Sequence, residues 1–288
     1  MNYYKRKEFL QLSGGALGAM ALSPLITNLF SPNDRKIKKF GLQLYTIRDV
    51  FEKDPKGTLK QLEGLGYKQL EGYERSTGLF WGMKNTEFKK LVNGLDMSFI
   101  SSHCDIDKDF EQKAVDAAAI DMKYLIAAWE GEGLTIEDYK RYAEKLNQKG
   151  KICKQNGIRF AFHNHWFTFT KQGNEFPQDI LMKYTDKELV DFELDIYWAA
   201  SMGQNAADWF KKYPNRFRLC HIKDRVKGST KREDTCDLGK GSIDFKTILQ
   251  VAKENGMSYY LVEQEHYPNS TPMESTKADA LFMQGLRI

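Results

Sequence analysis

The chain has 288 residues, of which 41% are hydrophobic and 13% aromatic, and its formal net charge is +4. This length and composition allow one large buried core, since α/β barrels of similar size form a single domain. The charge is mild and both signs are interspersed, so neither a nucleic-acid partner nor an anionic membrane surface is expected.

The first thirty-five residues differ from the rest of the chain. Three basic residues at 5–7 precede an uncharged stretch rich in Gly, Ala and Leu at 12–26, as in an export signal. The string RKEFL (6–10) resembles a twin-arginine signal, with Lys7 in place of the second arginine. We expect residues 1–35 to be an export signal and linker, and the protein to be periplasmic without stable membrane insertion after processing. A retained N-terminal anchor is the alternative.

From Phe40 onward, short runs rich in β-branched and aromatic residues alternate with longer amphipathic stretches. The short runs predict eight strands, at 40–46, 67–73, 97–103, 122–129, 158–165, 188–195, 217–224 and 259–265. Each run is followed by a predicted helix. Four helical stretches end in a glycine that would supply the left-handed conformation beyond a helix: Gly66, Gly94, Gly157 and Gly256.

Repeated βα units imply parallel strands joined by right-handed crossovers. Eight units in about 250 residues is the number that closes a barrel. The sequence therefore predicts a single (β/α)8 TIM barrel over residues 36–288. An open, doubly wound sheet is the alternative, although no GxGxxG turn follows the first predicted strand.

All five histidines lie at or just beyond the downstream end of a predicted strand, and so do several acids. In barrels of this kind the active site lies at the C-terminal ends of the strands. We therefore expect one face of the barrel to gather these side chains: Glu71, His103, Trp129, His163, His165, Asp195, His221, Glu263 and Glu265.

Four side chains on consecutive strands are predicted to converge on one divalent metal ion: His163, Asp195, His221 and Glu263. Two imidazoles and two carboxylates suit a transition metal better than calcium, and the ion stays open among Mn²⁺, Co²⁺, Fe²⁺, Mg²⁺ and Zn²⁺. Plainer interpretations also stand. Asp195 could cap the next helix, His221 could be a core histidine, Glu263 could pair with a buried lysine, and His163 could contact the substrate.

Side chains alternate along a strand, so His165 and Glu265 would point the same way as His163 and Glu263 but nearer the mouth. We predict that they are catalytic and that one of them is the base that removes a proton next to a carbonyl. The predicted substrate contacts are Glu71, His103, Lys223 and Trp198. Glu71 could instead form an ion pair inside the barrel mouth.

Aromatic residues recur in the predicted βα loops, where they favour a carbohydrate ligand because sugar rings stack on aromatic planes. About half of them are expected simply to pack beneath loops. The long charged loop at 225–242 is either a lid over the site or a solvated insertion.

Several motifs in chain order resemble the sugar phosphate isomerase/epimerase superfamily, a group of xylose-isomerase-like TIM barrels. They are GLQLYTIRD (41–49), LEGYE (70–74), LDIYW (194–198), CHIKD (220–224), DLGKGSIDF (237–245) and LVEQE (261–265). The resemblance is nearest to inosose-dehydratase-like and keto-glycoside-processing members. It implies one metal ion, with Asp195, His221 and Glu263 at the family's ligand positions on the last three strands. His163 stands where many members have a glutamate.

The resemblance and the site together predict a metal-dependent isomerase or epimerase that acts on a sugar or cyclitol through an enediolate. A lyase on the same scaffold is the alternative, either a dehydratase or an eliminase of 3-keto-glycosides. A barrel that binds carbohydrate without catalysis is a third hypothesis. The sequence leaves open whether the barrel is a monomer or a homo-oligomer.

Overall fold

Eight parallel strands form a closed barrel in the computed structural model, which describes residues 36–129 and 131–288. The strands are β1 (Gly41–Gln43), β2 (Gln69–Tyr73), β3 (Ser98–His103), β4 (Tyr124–Ala127), β5 (Arg159–His163), β6 (Val190–Asp195), β7 (Phe217–Ile222) and β8 (Tyr259–Val262). Each strand pairs with its neighbour in the chain, and β8 pairs with β1. The predicted single (β/α)8 barrel is confirmed, and the open sheet is excluded.

Helices follow the strands and surround the barrel. They are α1 (Arg48–Phe51), α2 (Pro55–Gly64), α3 (Asn85–Asn93), α4 (Phe110–Ala119), α5 (Ile136–Gln155), α6 (Pro177–Tyr184), α7 (Ile196–Ser201), α8 (Ala206–Lys212), α9 (Phe245–Glu254) and α10 (Pro272–Gly285). Short 3₁₀ helices follow β1 at Leu44–Ile47 and β5 at Trp166–Phe169. Capping boxes begin the two longest helices, with Thr135 at α5 and Thr271 at α10.

The alternation of side chains along each strand separates two cores. Outward-facing residues such as Phe160 and Phe162 of β5 join the large core beneath the helices. A small second core fills the barrel interior and contains Tyr124, Ile126, Ala161, Leu219 and Leu261.

An ion pair lies at the N-terminal ends of β5 and β6. Arg159 donates to both carboxylate oxygens of Asp191, at 2.6 and 2.8 Å, and the Tyr124 hydroxyl donates to the same carboxylate at 2.9 Å. Packed and paired side chains therefore fill the barrel at the N-terminal ends of its strands.

Three of the four glycines predicted to end helices have the left-handed conformation, with φ of 90° at Gly66, 75° at Gly157 and 96° at Gly256. The prediction for Gly94 was wrong, because this residue is right-handed, with φ of −63° and ψ of −14°. The positive φ falls two residues later, on Asp96 at 50°, since the chain makes one more turn before β3. Aspartate is among the few residue types that tolerate this conformation.

The predicted export signal and linker, residues 1–35, lie outside the described residues and stay a prediction. Among the residues that are described, none of the helices has both the length and the apolar character needed to span a bilayer.

Candidate active site

The register of the strands decides which side chains meet at the C-terminal end of the barrel. On β6 three acids at period two face the interior: Asp191, Glu193 and Asp195. His163 is paired in register with Glu193, and Asp195 is paired with His221. Asp195 follows Glu193 by two residues on β6, so it lies nearer the barrel mouth than His163 does.

Asp195, His221 and Glu263 form a compact group, with one donor atom from each lying within 4.8 Å of the others. His221 Nδ1 is 3.1 Å from Glu263 Oε2 and 4.0 Å from Asp195 Oδ2. All three residues are buried. The structure thus brings together three of the four side chains that the sequence proposed as metal ligands.

The plainer interpretations of these acids are also realised. Asp195 Oδ1 caps α7 by accepting a hydrogen bond from Trp198 N at 3.0 Å. Lys223, which is fully buried, places Nζ 2.9 Å from Glu263 Oε2 and 2.8 Å from Glu265 Oε2. Each carboxylate therefore has a structural partner as well as a place in the candidate metal group.

The charges and the donor set of this group fit a divalent cation. Lys223 Nζ lies 3.1 Å from Asp195 Oδ2, yet that buried oxygen receives no hydrogen bond. One ammonium faces the carboxylates of Asp195, Glu263 and Glu265, so the acids outnumber the lysine in this part of the site. Carboxylate oxygens with an imidazole nitrogen are ligands that Mn²⁺, Fe²⁺, Co²⁺ and Zn²⁺ accept.

His163 belongs to a second group, which it forms with His103, Glu193 and His221. Its Nδ1 is 3.1 Å from Glu193 Oε2, and its ring centre is 4.5 Å from that of His221. The donor atoms of His163 are not part of the Asp195 group, because the register holds this histidine level with Glu193. Its role as a metal ligand stays a prediction.

Glu193 is the site residue that the sequence analysis missed. A signal was present, since the strand VDFELD places three acids on its inward face in an otherwise apolar run. Glu193 Oε2 is also 2.9 Å from His103 Nε2 and 3.2 Å from His221 Nε2, so one carboxylate contacts three imidazoles.

Glu71 contacts His221 at the ring nitrogen Nε2. It accepts hydrogen bonds from Gln43 Nε2 at 2.9 Å and Ser101 Oγ at 2.5 Å, and its Oε1 is 2.6 Å from His221 Nε2. When Nε2 of His221 donates to Glu71, the other nitrogen, Nδ1, which is 3.1 Å from Glu263 Oε2, is the one that could bind an ion in the Asp195 group. Carboxylates orient metal-binding histidines in this way.

The buried charges perturb one another strongly. Burial lowers the pKa of His103, but the charge of Glu71 and the hydrogen bond with Glu193 outweigh it and raise the pKa to about 9. Burial and the charge of Glu71 raise the pKa of Glu193 to about 7. The pKa of His163 falls well below its usual range because the ring is buried and lies beside His221. The surroundings therefore shift the pKa values of His103 and His163 in opposite directions, although their ring centres are 4.9 Å apart.

A cavity of about 780 Å³ opens above this network. Its inner wall carries both predicted catalytic residues and two of the four predicted substrate contacts: His165, Glu265, His103 and Trp198. The other two predicted contacts, Glu71 and Lys223, are fully buried and do not line the cavity. Both side chains therefore lie behind the residues that a ligand in the cavity would contact.

The two predicted bases differ in environment. Burial and the charge of Lys223 lower the pKa of His165 to about 3, so its imidazole is neutral at neutral pH. The Glu265 side chain is 26% exposed and is held by Lys223 at the cavity wall. Glu265 therefore reaches the cavity as a carboxylate with one fixed oxygen.

The charged loop at 225–242 does not line the cavity. It begins and turns back in a two-stranded ribbon, Asp224–Arg225 against Thr235–Cys236. The Tyr197 hydroxyl anchors it by donating to Arg232 O and accepting from Asp234 N, both at 2.6 Å. The loop that the sequence interpreted as either a lid or a solvated insertion is therefore not in contact with the cavity in this structure.

A closed (β/α)8 barrel with acids and imidazoles at the C-terminal ends of its strands defines the class of barrels whose active sites lie at that face. The family described as the xylose isomerase-like TIM barrel matches residues 84–286, and the chain belongs to that family.

Known proteins of similar sequence and structure agree with this membership. An inosose dehydratase from Clostridium perfringens is 33% identical over 157 residues, which are 49% of this chain and 52% of that protein. The chain thus spans about half the length of the curated relatives that it matches. A solved sugar phosphate isomerase/epimerase from Parabacteroides distasonis superposes with a TM-score of 0.73 at 28% identity, over 86% of this chain and 93% of the other.

The fold is also shared with the IOLI protein, which was solved with a bound zinc atom. This neighbour has a TM-score of 0.68 at 18% identity, over 84% of this chain and 95% of that chain. At this identity the likeness concerns the fold.

Proposed function

We propose that the protein is a divalent-metal-dependent enzyme that removes a proton next to a carbonyl group of a sugar or cyclitol. The observation that carries the proposal is the buried group of Asp195, His221 and Glu263, of which Glu263 lines the same cavity as Glu265. The solved neighbour with zinc supports it, because it shows that this fold accommodates a metal ion.

Asp195, His221 and Glu263 would hold the ion, with His163 as a candidate fourth ligand. When bound, a divalent cation supplies positive charge that stabilises the negative charge developing on substrate oxygens. The protein's own contribution is to fix these ligands from three adjacent strands, so little rearrangement is required when a ligand binds.

Glu265 is the side chain best placed to accept the proton. It reaches the cavity wall, and Lys223 holds one of its oxygens at 2.8 Å while the side chain keeps 26% exposure. A positioned general base contributes roughly 10² to 10⁴ to the rate of such a step. His165 is the alternative base on the same wall.

Removal of the proton leaves an enediolate, which has two outcomes. Return of the proton to carbon gives an isomer or epimer, as the sequence analysis proposed. In the second outcome the C–O bond at the β carbon breaks and a C=C bond forms. The departing oxygen takes up a proton and leaves as water or as the alcohol of a glycoside, which is the reaction of a lyase. The dehydratase names of the curated relatives favour the lyase, and the solved neighbour named as an isomerase/epimerase favours the first outcome.

The proposal is tested by incubating the Mn²⁺-loaded protein in heavy water with inosose, keto-hexoses and 3-keto-glycosides. Mass spectrometry of the products separates the reactions. Deuterium uptake at unchanged composition indicates proton removal without elimination, as in isomerisation or epimerisation, loss of water indicates dehydration, and release of the second sugar or alcohol indicates glycoside cleavage.

Glu265→Gln should slow exchange by roughly 10²-fold or more while the metal stays bound. The matched control is Glu254→Gln, since Glu254 is exposed at the end of α9. Exchange that is unchanged in Glu265→Gln would exclude this residue as the base. Sugar binding without exchange or elimination on any substrate would leave the barrel as a carbohydrate-binding protein.

A further inference from the structure

Trp129 follows β4 and stands out among the exposed apolar side chains. Four large apolar residues of the described chain are exposed: Val115, Trp129, Tyr184 and Leu281. Of these, Trp129 lines the cavity, and it does so with 57% of its surface exposed. A large aromatic ring on a cavity wall can cover the apolar face of a ligand.

Packing fixes this exposed ring in place. Trp129 lies edge-to-face against His165, with ring centres 4.9 Å apart, and against Phe167 at 5.4 Å. His165 and Phe167 are themselves stacked, with an interplanar angle of 20°. A ring held in this way binds a partner with little loss of conformational entropy.

The path from the metal-ligand group to Trp129 is short. The ring centre of His163 lies 4.5 Å from His221 and 5.0 Å from His165, which in turn lies 4.9 Å from Trp129. His163, His165 and Trp129 line the cavity one after another, so a sugar ring that contacts His163 would have its next ring, joined through a glycosidic oxygen, on the side of the indole.

The cavity is large enough for two rings. Its volume of about 780 Å³ lies in the upper part of the range of about 300 to 1,000 Å³ that is typical of pockets for drug-sized ligands, which leaves room for more than one sugar ring. The lining of the cavity also includes charged residues of both signs: Arg75, Asp105, Asp107 and Lys108. Such a wall suits hydroxyl groups better than a long apolar chain.

We infer that Trp129 forms a subsite for a second sugar ring, so that the preferred substrate is a glycoside and not a free monosaccharide or cyclitol. The inference rests on the proposed function for the position of the first ring. Trp129 contributes affinity and selectivity for the second ring, and the chemistry stays with the residues at the cavity floor.

The test is calorimetric binding to Mn²⁺-loaded protein of four unoxidised disaccharides, maltose, cellobiose, lactose and trehalose, each beside its constituent monosaccharides. The native protein should bind at least one disaccharide more tightly than its monosaccharides. Trp129→Ala should reduce the ratio of the two affinities roughly threefold to tenfold, the range for one aromatic stacking contact. Trp129→Tyr should restore part of the ratio because it returns an aromatic face.

Leu281→Ala removes an equally exposed apolar side chain outside the cavity and should leave the ratio unchanged. The inference is overturned if the native protein shows no preference for any disaccharide, or if the preference survives Trp129→Ala. Its failure is distinguishable from failure of the proposed function. A disaccharide preference that depends on Trp129, without proton exchange on any keto-sugar, would contradict the enzyme proposal and support the subsite.

Discussion

The histidines of the site are held by acids that do not reach the cavity. Glu71 contacts His221 at 2.6 Å and Glu193 contacts His163 at 3.1 Å, and both carboxylates are buried. Each contact occupies one ring nitrogen and leaves the other for a ligand, which fixes both tautomer and ring orientation. We propose that the two acids position the imidazoles that they contact.

Glu71→Gln should therefore weaken metal binding although no candidate ligand is removed. The amide keeps the shape of the side chain but cannot accept from Gln43, Ser101 and His221 together, so His221 loses a fixed orientation. We expect Mn²⁺ affinity, measured by calorimetry, to fall roughly 10- to 100-fold.

Asp191→Asn is the matched control for Glu71→Gln, because Asp191 is a buried inward-facing acid at the opposite end of the barrel. It should lower the melting temperature without changing metal affinity. An affinity of Glu71→Gln within twofold of the native value would show that Glu71 does not position His221.

Sequence reasoning identified the residue types of the site better than their contacts. Asp195, His221 and Glu263 were predictable because each ends a strand of a recognisable βα unit. The grouping of His163 with Glu193 depends on the stagger between β5 and β6, which the sequence of either strand does not encode. The burial of Glu71 and Lys223 depends in the same way on how neighbouring strands cover them.

At the scale of elements, a buried acid of α10, Asp279, connects this helix to the loop at 225–242, which follows β7. Asp279 of α10 accepts a hydrogen bond from Leu238 N at 2.7 Å, its other oxygen has no partner, and the residue is 1% exposed. Burial, together with the charges of Asp237 and Asp224, raises the pKa of Asp279 to about 7.

This raised pKa predicts a pH-dependent stability. An unfolded aspartate has a pKa of about 3.9, so the folded protein binds the extra proton between that value and about 7. The contribution of protonated Asp279 is fully present below the unfolded pKa and is lost as the pH rises through 7. Asp279→Asn keeps the acceptor oxygen and removes the charge. Relative to the native protein, it should gain stability between pH 5 and pH 8, by on the order of 1 to 3 kcal/mol.

Urea unfolding at both pH values measures this difference, with Asp208→Asn as the control at an exposed carboxylate. Parallel pH profiles for the native protein and Asp279→Asn would mean that Asp279 is ionised throughout this range.

The elements themselves were largely predictable, and their ends were less so. Each predicted strand contains the observed one, because apolar runs bounded by turn residues are a strong local signal. Strand β1 ends at Gln43, where the predicted run continued to 46, since the Gln43 side chain accepts from Tyr45 N at 3.1 Å and starts a 3₁₀ turn. Hydrogen bonds of single side chains, which the pattern of apolar residues does not reveal, therefore determine where such strands end.

At the scale of the molecule, closure of the barrel is what turns scattered residues into a site. Glu71 on β2 and Glu263 on β8 are 192 positions apart along the chain, yet both contact His221. The eightfold repeat of βα units made this closure predictable, because parallel strands with right-handed crossovers gather their C-terminal ends at one face.

We propose that side chains at the C-terminal ends of β6, β7 and β8 hold one divalent cation. The most direct test is elemental analysis of metal content after loading with Mn²⁺ and removal of free ions by gel filtration, with folding checked by circular dichroism. The native protein should retain about one ion per chain, His221→Ala should lose most of it, and His266→Ala, at an exposed histidine, should keep it. Full retention of the ion by folded His221→Ala, or no ion in the native protein, would contradict the account.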